Sequence, residues 1–180
     1  MYSKSTMLRE LQTYSKIICD GMRKLESFRS ESRNSLLNWY KVKNPLRVVL
    51  NFILIYSARY MPSLSVKNFL YRLTGMEVGK DVAVGLGAVF DIFFPELIEI
   101  GDNCIIGYGV TVLAHEFLHD EWRTGSVRIG ENVLIGANST ILAGVSIGKN
   151  STVSACSLVN SDIPPNSFYA GVPAKKVRVV

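Results

Sequence analysis

From residue 129 onward every sixth position is aliphatic: Ile129, Ile135, Ile141, Ile147, Val153 and Val159. Aliphatic residues make up roughly a quarter of average usage, so six in register by chance is about one in four thousand. The next position is mostly small (Gly130, Gly136, Leu142, Gly148, Ser154, Asn160), and the fourth after each aliphatic is small or β-branched (Val133, Ser139, Val145, Ser151, Ser157). The same register opens earlier at Val78-Gly79, Val84-Gly85 and Phe90, then at Ile100-Gly101, Ile106-Gly107 and Val112. A period of six matches neither an α-helix nor an alternating strand. It suits a short strand plus a turn. Three such sides close one coil of a prism, and each unit buries its aliphatic by stacking on its neighbours. The Gly and Asn residues between sides suit tight turns at positive φ.

Upstream of Gly75 the pattern is helical. Leu11, Tyr14, Ile18, Met22, Leu25 and Phe28 recur at three- and four-residue steps, which predicts a helix with one apolar face. Asn44-Pro45 breaks the chain, a second helix is predicted from Leu46 to Tyr60, and a third follows Ser65 as N-cap and stops at Gly75. The expected organisation is therefore a helical region over residues 1–75 and a mainly β repeat domain over 76–180 ending in a C-terminal tail.

Charge sharpens that division. Residues 1–75 hold 13 Lys/Arg against 4 Asp/Glu, and the remainder 7 against 11. A basic, aromatic-rich helical region is either a solvated or packed face or an interfacial anchor at an acidic membrane surface. The most apolar window, residues 48–58, is too short to span a bilayer. No signal-peptide pattern is read at the start of the sequence. Three cysteines at unrelated spacings (Cys19, Cys104, Cys156) argue against a disulfide framework and for a reducing compartment, with Cys104 and Cys156 read as core.

The repeat, and above all the block 127–178 with its closing "DIPPN…AGVPAK", resembles the hexapeptide-repeat acyltransferases and is similar to the galactoside and maltose acetyltransferases. The resemblance covers about Val78–Val180. It implies a left-handed parallel β-helix, a homotrimer, acetyl-CoA as co-substrate and a sugar or other small hydroxyl compound as acceptor. A cytoplasmic location, at the inner face of the membrane if the N-terminal helices anchor there, completes that expectation, with no metal and no nucleic-acid partner.

The chain's only two histidines lie in His115-Glu116-Phe117-Leu118-His119, which fits the H-E-x-x-H zinc motif letter for letter. That motif needs a long helix and a third ligand. Here Val112 and Ile129 stand 17 residues apart where 18 would keep the register, so the polar stretch 114–126 is expected to leave the prism as a loop with room for a turn or two of helix. The acyltransferase resemblance instead makes His115 a catalytic base. An imidazole, titrating near neutrality, can take the proton of an acceptor hydroxyl as it attacks a thioester. Asp91, where the register slips by four after Phe90, and Glu116 are the acidic residues placed toward the acceptor. By the same resemblance Ala137 and Ala155 line the pantetheine groove, while Asn160, Ser161, Lys175, Lys176 and Arg178 face the CoA phosphates. Leu134 and the pair Asn160-Ser161 depart from relatives, which carry Trp and Thr-Lys there. A zinc hydrolase, a γ-class carbonic anhydrase with its three histidines, and a non-catalytic scaffold remain the alternatives.

Overall fold

The six-residue period becomes two- and three-residue strands that wind in coils. In the computed structural model, which describes residues 16–20, 23–30 and 34–179, the first coil is β3 (Glu77–Val78), β4 (Ala83–Val84) and β5 (Val89–Phe90). The second is β6 (Ile98–Ile100), β7 (Ile105–Ile106) and β8 (Thr111–Val112). After an antiparallel excursion through β9 (His115–Phe117) and β10 (Glu121–Thr124), the third is β11 (Val127–Ile129), β12 (Leu134–Ile135) and β13 (Thr140–Ile141). The fourth is β14 (Ser146–Ile147), β15 (Thr152–Val153) and β16 (Leu158–Val159). A closing hairpin, β17 (Ser167–Gly171) and β18 (Ala174–Val179), ends the prism.

Each coil adds one strand to each of three parallel sheets, the architecture of a left-handed β-helix. The aliphatic columns stack in register: Val78, Ile100, Ile129 and Ile147 on one side, Val84, Ile106, Ile135 and Val153 on the second, Phe90, Val112, Ile141 and Val159 on the third. All twelve are buried. Small residues follow them because the next coil passes close by. A Cβ on Gly136 would lie 2.3 Å from the Ala155 backbone nitrogen. At one corner Asn103, Asn132, Asn150 and Asn166 take positive φ, and their side-chain amides form a ladder of 2.8–3.1 Å hydrogen bonds. Cys104 is core, but Cys156 is exposed at φ 57°, so its expected burial is overturned. It occupies the left-handed corner position that Asn138 fills one coil earlier.

The first coil would leave strand edges open, and a helix closes them. Helix α1 (Trp39–Val42) leads to α2 (Pro45–Tyr60), whose start is set by Pro45 in the first turn and by the Asn44 side chain accepting from Leu46 N at 2.9 Å. Helix α3 (Leu64–Leu73) begins after Ser63 and not after Ser65. Its Asn68 donates to Val82 O, Lys67 to Val84 O and Gly85 O, and Arg72 to Val78 O and Gly79 O, all at 2.8–3.1 Å. Ile55, Ala58 and Tyr71 join the hydrophobic cluster of the prism, so one core spans both regions.

The helix expected from Leu11 to Phe28 is corrected where the structure describes it. β1 (Lys16–Asp20) and β2 (Arg23–Arg29) form an antiparallel hairpin, and β10 pairs with β2 to give a four-stranded sheet in the order β1-β2-β10-β9. In β2, buried Arg23, Leu25 and Ser27 alternate with exposed Lys24 and Glu26, a period of two. Leu11, Tyr14 and Met22 lie outside the described residues.

Replacing Ile141, 0% exposed at the middle of its column, by Ala removes three methyl or methylene carbons from a site the coils above and below cannot collapse. The expected loss is about 2–5 kcal/mol, read as a shift of the urea unfolding midpoint.

Candidate active site

Coil stacking sets the site. Phe90 pairs with Val112, so the residues that follow them, Asp91 below and Ala114-His115 above, leave the same corner one coil apart. Asp91 is 2% exposed, and both its oxygens are committed. Oδ1 accepts from Phe93 N at 2.8 Å and Phe94 N at 3.0 Å, while Oδ2 accepts from Ala114 N at 2.7 Å and from His115 Nδ1. Burial pushes this carboxyl up, but the hydrogen bond and charge of His115, with the Phe94 and Ala114 N–H groups, outweigh it. Its pKa therefore lies below the ordinary value.

A carboxylate only accepts, so Nδ1 of His115 carries the hydrogen and the neutral ring presents Nε2 as a bare lone pair. The His115 side chain is 16% exposed. Phe93 and Phe117 meet it edge-on at 4.9 Å between centroids, and Phe94 lies at 6.0 Å. Trp122 stacks on Phe28 at 4.2 Å and on Phe94 at 5.9 Å, extending the aromatic wall across the hairpin. The arrangement is an oriented base in a largely apolar surround, suited to receiving a proton from a bound hydroxyl.

The expectations for the two acidic residues change. Asp91 turns to His115 and backbone N–H groups, which makes it a positioning residue for the ring in place of a direct partner of the acceptor. Glu116 alternates to the other face of β9 and pairs with Arg23 of β2, away from the imidazole. The predicted loop is a β-hairpin, with no helical turn. His115 sits in its first strand and His119 in its exposed tip, so the two imidazoles do not share a helical face. Among the described residues no three His, Cys, Asp or Glu side chains converge as a metal site.

Ala137 and Ala155 stack at the corner between the second and third sheets, where Cys156 N donates to Ala137 O at 2.8 Å. The basic strand lies near them. Ser154 N donates to Tyr169 O and Ala170 pairs with Lys175, which puts β18 two strand spacings, about 10 Å, beyond that corner. Lys175, Lys176 and Arg178 are exposed there, and Arg178 lies over the Phe168 ring at 5.4 Å. Asn160 and Ser161 follow β16 on the opposite corner of the third sheet, the corner from which His115 emerges. One chain thus holds His115 and the small-residue corner on opposite edges of one prism face, roughly 16 Å apart for a side of about five residues. The aromatic wall went unread in the sequence because Phe28 lay in an apparent helix and its partner Trp122 is 94 positions away.

Three comparisons bear on this geometry. The family described as hexapeptide repeat of succinyl-transferase matches residues 75–114 and 126–160. YvoF of Bacillus subtilis (strain 168), provisionally named an acetyltransferase, is 48% identical over 155 residues, covering 86% of this chain and 90% of its own. The fold is shared with a hexapeptide-repeat acetyltransferase from Vibrio cholerae solved with acetyl-CoA (TM-score 0.62, 23% identity, 74% of this chain and 87% of that one). It is shared too with a galactoside acetyltransferase solved with coenzyme A (TM-score 0.61, 25% identity, 75% and 81%).

Because the pKa of Asp91 is lowered on folding, its ionised form adds stability that is fully present above the ordinary value of 3.8 and is lost as the pH falls below it. Urea unfolding of wild type and Asp91→Asn is expected to differ most near neutrality. The gap should narrow as the pH falls below the ordinary carboxyl value of 3.8.

Proposed function

The chain belongs to the hexapeptide-repeat acetyltransferases, and on that footing we propose that it moves an acetyl group from acetyl-CoA to a hydroxyl of a sugar or saccharide precursor, with His115 as general base. The observation that carries this reading is the Asp91–His115 pair, which engages Nδ1 within aromatic walls and so leaves Nε2 as the free lone pair of the neutral ring. In the proposed reaction Nε2 takes the hydroxyl proton as the oxygen attacks the thioester carbonyl. The tetrahedral intermediate then collapses, breaking the C–S bond, and the imidazolium returns the proton to the departing thiolate. The thioester arrives already activated, so no side chain need be acylated. Asp91 holds the tautomer and balances the imidazolium charge.

The donor is assigned to the small-residue corner and the basic strand. Ala137 and Ala155 leave room for the pantetheine arm against backbone, and Lys175, Lys176 and Arg178 supply cations for phosphates, while Asn160 and Ser161, on the His115 corner, reach the donor only from the adjoining copy. The separation of His115 from that corner favours a homotrimer, in which the His115 corner of one copy faces the small-residue corner of the next. A cytoplasmic location belongs to the same reading.

Thiol release from acetyl-CoA, followed over a panel of sugars and nucleotide-sugars, tests the proposal. His115→Ala is expected to lower kcat by about 10²–10⁴. Asp91→Asn should lower kcat while leaving KM for acetyl-CoA near wild type. The triple substitution Lys175→Gln, Lys176→Gln and Arg178→Gln should raise KM for acetyl-CoA and spare kcat. Undiminished turnover in His115→Ala, or failure of the wild type to bind acetyl-CoA, would overturn the reading.

A further inference from the structure

Helix α2 is apolar on two faces, and the fold uses only one. Val48, Asn51, Ile55 and Ala58 are buried against the rest of the chain. On the opposite side Leu46, Val49, Leu50, Ile53, Tyr56 and Tyr60 form a helical stripe whose members are 45–82% exposed. Phe52, Tyr56 and Tyr60 stack along the same flank, with centroids 5.3 and 5.8 Å apart. A contiguous face of this size, away from any strand edge, marks an interaction surface.

Charge identifies the occupant. Between Glu31 and Glu77 there is no acidic residue, while Lys41, Lys43, Arg47, Arg59, Lys67 and Arg72 are all basic. Lys67 is buried and Lys43 pairs with Glu96. Arg47 and Arg72 donate to backbone carbonyls, which does not neutralise their charge. The stripe carries no acidic residue and the segment around it is net positive, so a second copy would bring the same sign, whereas an anionic lipid surface brings the opposite one. Among the described residues no helix is long and apolar enough to cross a bilayer, so the face can lie in the interface without spanning it.

We propose that α2 is a monotopic docking surface for an anionic bilayer, lying in the headgroup region with its Leu/Ile/Tyr stripe inward. The helix is coupled to the His115 site. Asn51 donates to Ile92 O at 3.0 Å, next to Asp91, and Trp39 just before α2 packs edge-on against Phe93 at 5.9 Å. The acceptor hydroxyl is then met at a membrane surface, carried by an amphiphile. That last step rests on the acetyl-transfer reading, whereas the docking itself does not.

Co-sedimentation of the full chain with phosphatidylglycerol-containing vesicles and with pure phosphatidylcholine vesicles tests the docking, with molar mass in solution measured by light scattering. Wild type is expected to pellet with the anionic vesicles and far less with the zwitterionic ones. The double variant Leu50→Glu, Ile53→Glu should bind the anionic vesicles at least about tenfold more weakly at unchanged molar mass. Tyr56→Ser with Tyr60→Ser, which adds no charge, should weaken binding in the same direction. Absence of wild-type binding, or variant binding equal to wild type, would overturn the proposal. So would a fall in molar mass of the glutamate variant, which would assign the face to a second copy. Vesicle binding without thiol release would count against acetyl transfer alone, and thiol release without vesicle binding against docking alone.

Discussion

Everything in this chain depends on coils stacking in register. One aliphatic per side, repeated every six residues, buries its side chain against the coil above and the coil below, each worth about 1.5–3 kcal/mol of burial. Because strands of successive coils pair residue for residue, any side chain just past a corner lies beneath its counterpart one coil later. By this register Asp91 lies under Leu113, and His115 reaches it from two residues further along the same corner. Asp91 and His115 are 24 positions apart in sequence and adjacent in space because Phe90 lies under Val112. The repeat that builds the core is the same device that orients the His115 imidazole.

That device also permits a buried carboxylate. Removing Asp91 from water would be costly without partners, but three backbone N–H groups and the imidazole meet its two oxygens. Its charge is therefore fixed beside the His115 ring. The hairpin β9–β10, released at the same corner, then pairs with β2 and carries Phe117 and Trp122 to wall the ring. The His115 imidazole is held from below by the prism and enclosed from the side by the antiparallel sheet.

How much of this was legible follows from how local each signal is. The hexad register is local and regular, and all twelve residues it named, eleven aliphatics and Phe90, are in the core. The α2 start was legible because Asn44 and Pro45 act within one turn. The stretch 16–29 misled because its apolar residues fell at helical steps, while the residues that turn inward in β2 include Arg23 and Ser27, which no hydrophobic pattern marks. Their reason for turning inward lies some 94 positions away, with Glu116 and Glu121. Asp91 stood out as an acid at a break in the register, but its partner could be found only once the coils were stacked. HEFLH matched a helical motif in letters alone, since its residues pair as a strand with β10.

The central claim is that coil stacking delivers a histidine with a bare Nε2. Nitrogen-15 NMR of the His115 imidazole in its neutral form, in wild type and in Asp91→Asn, tests it most directly. The account predicts a single Nδ1–H tautomer in wild type and a mixed or reversed population in the variant. An Nε2–H tautomer in wild type, or no change on removing the carboxylate, would contradict it.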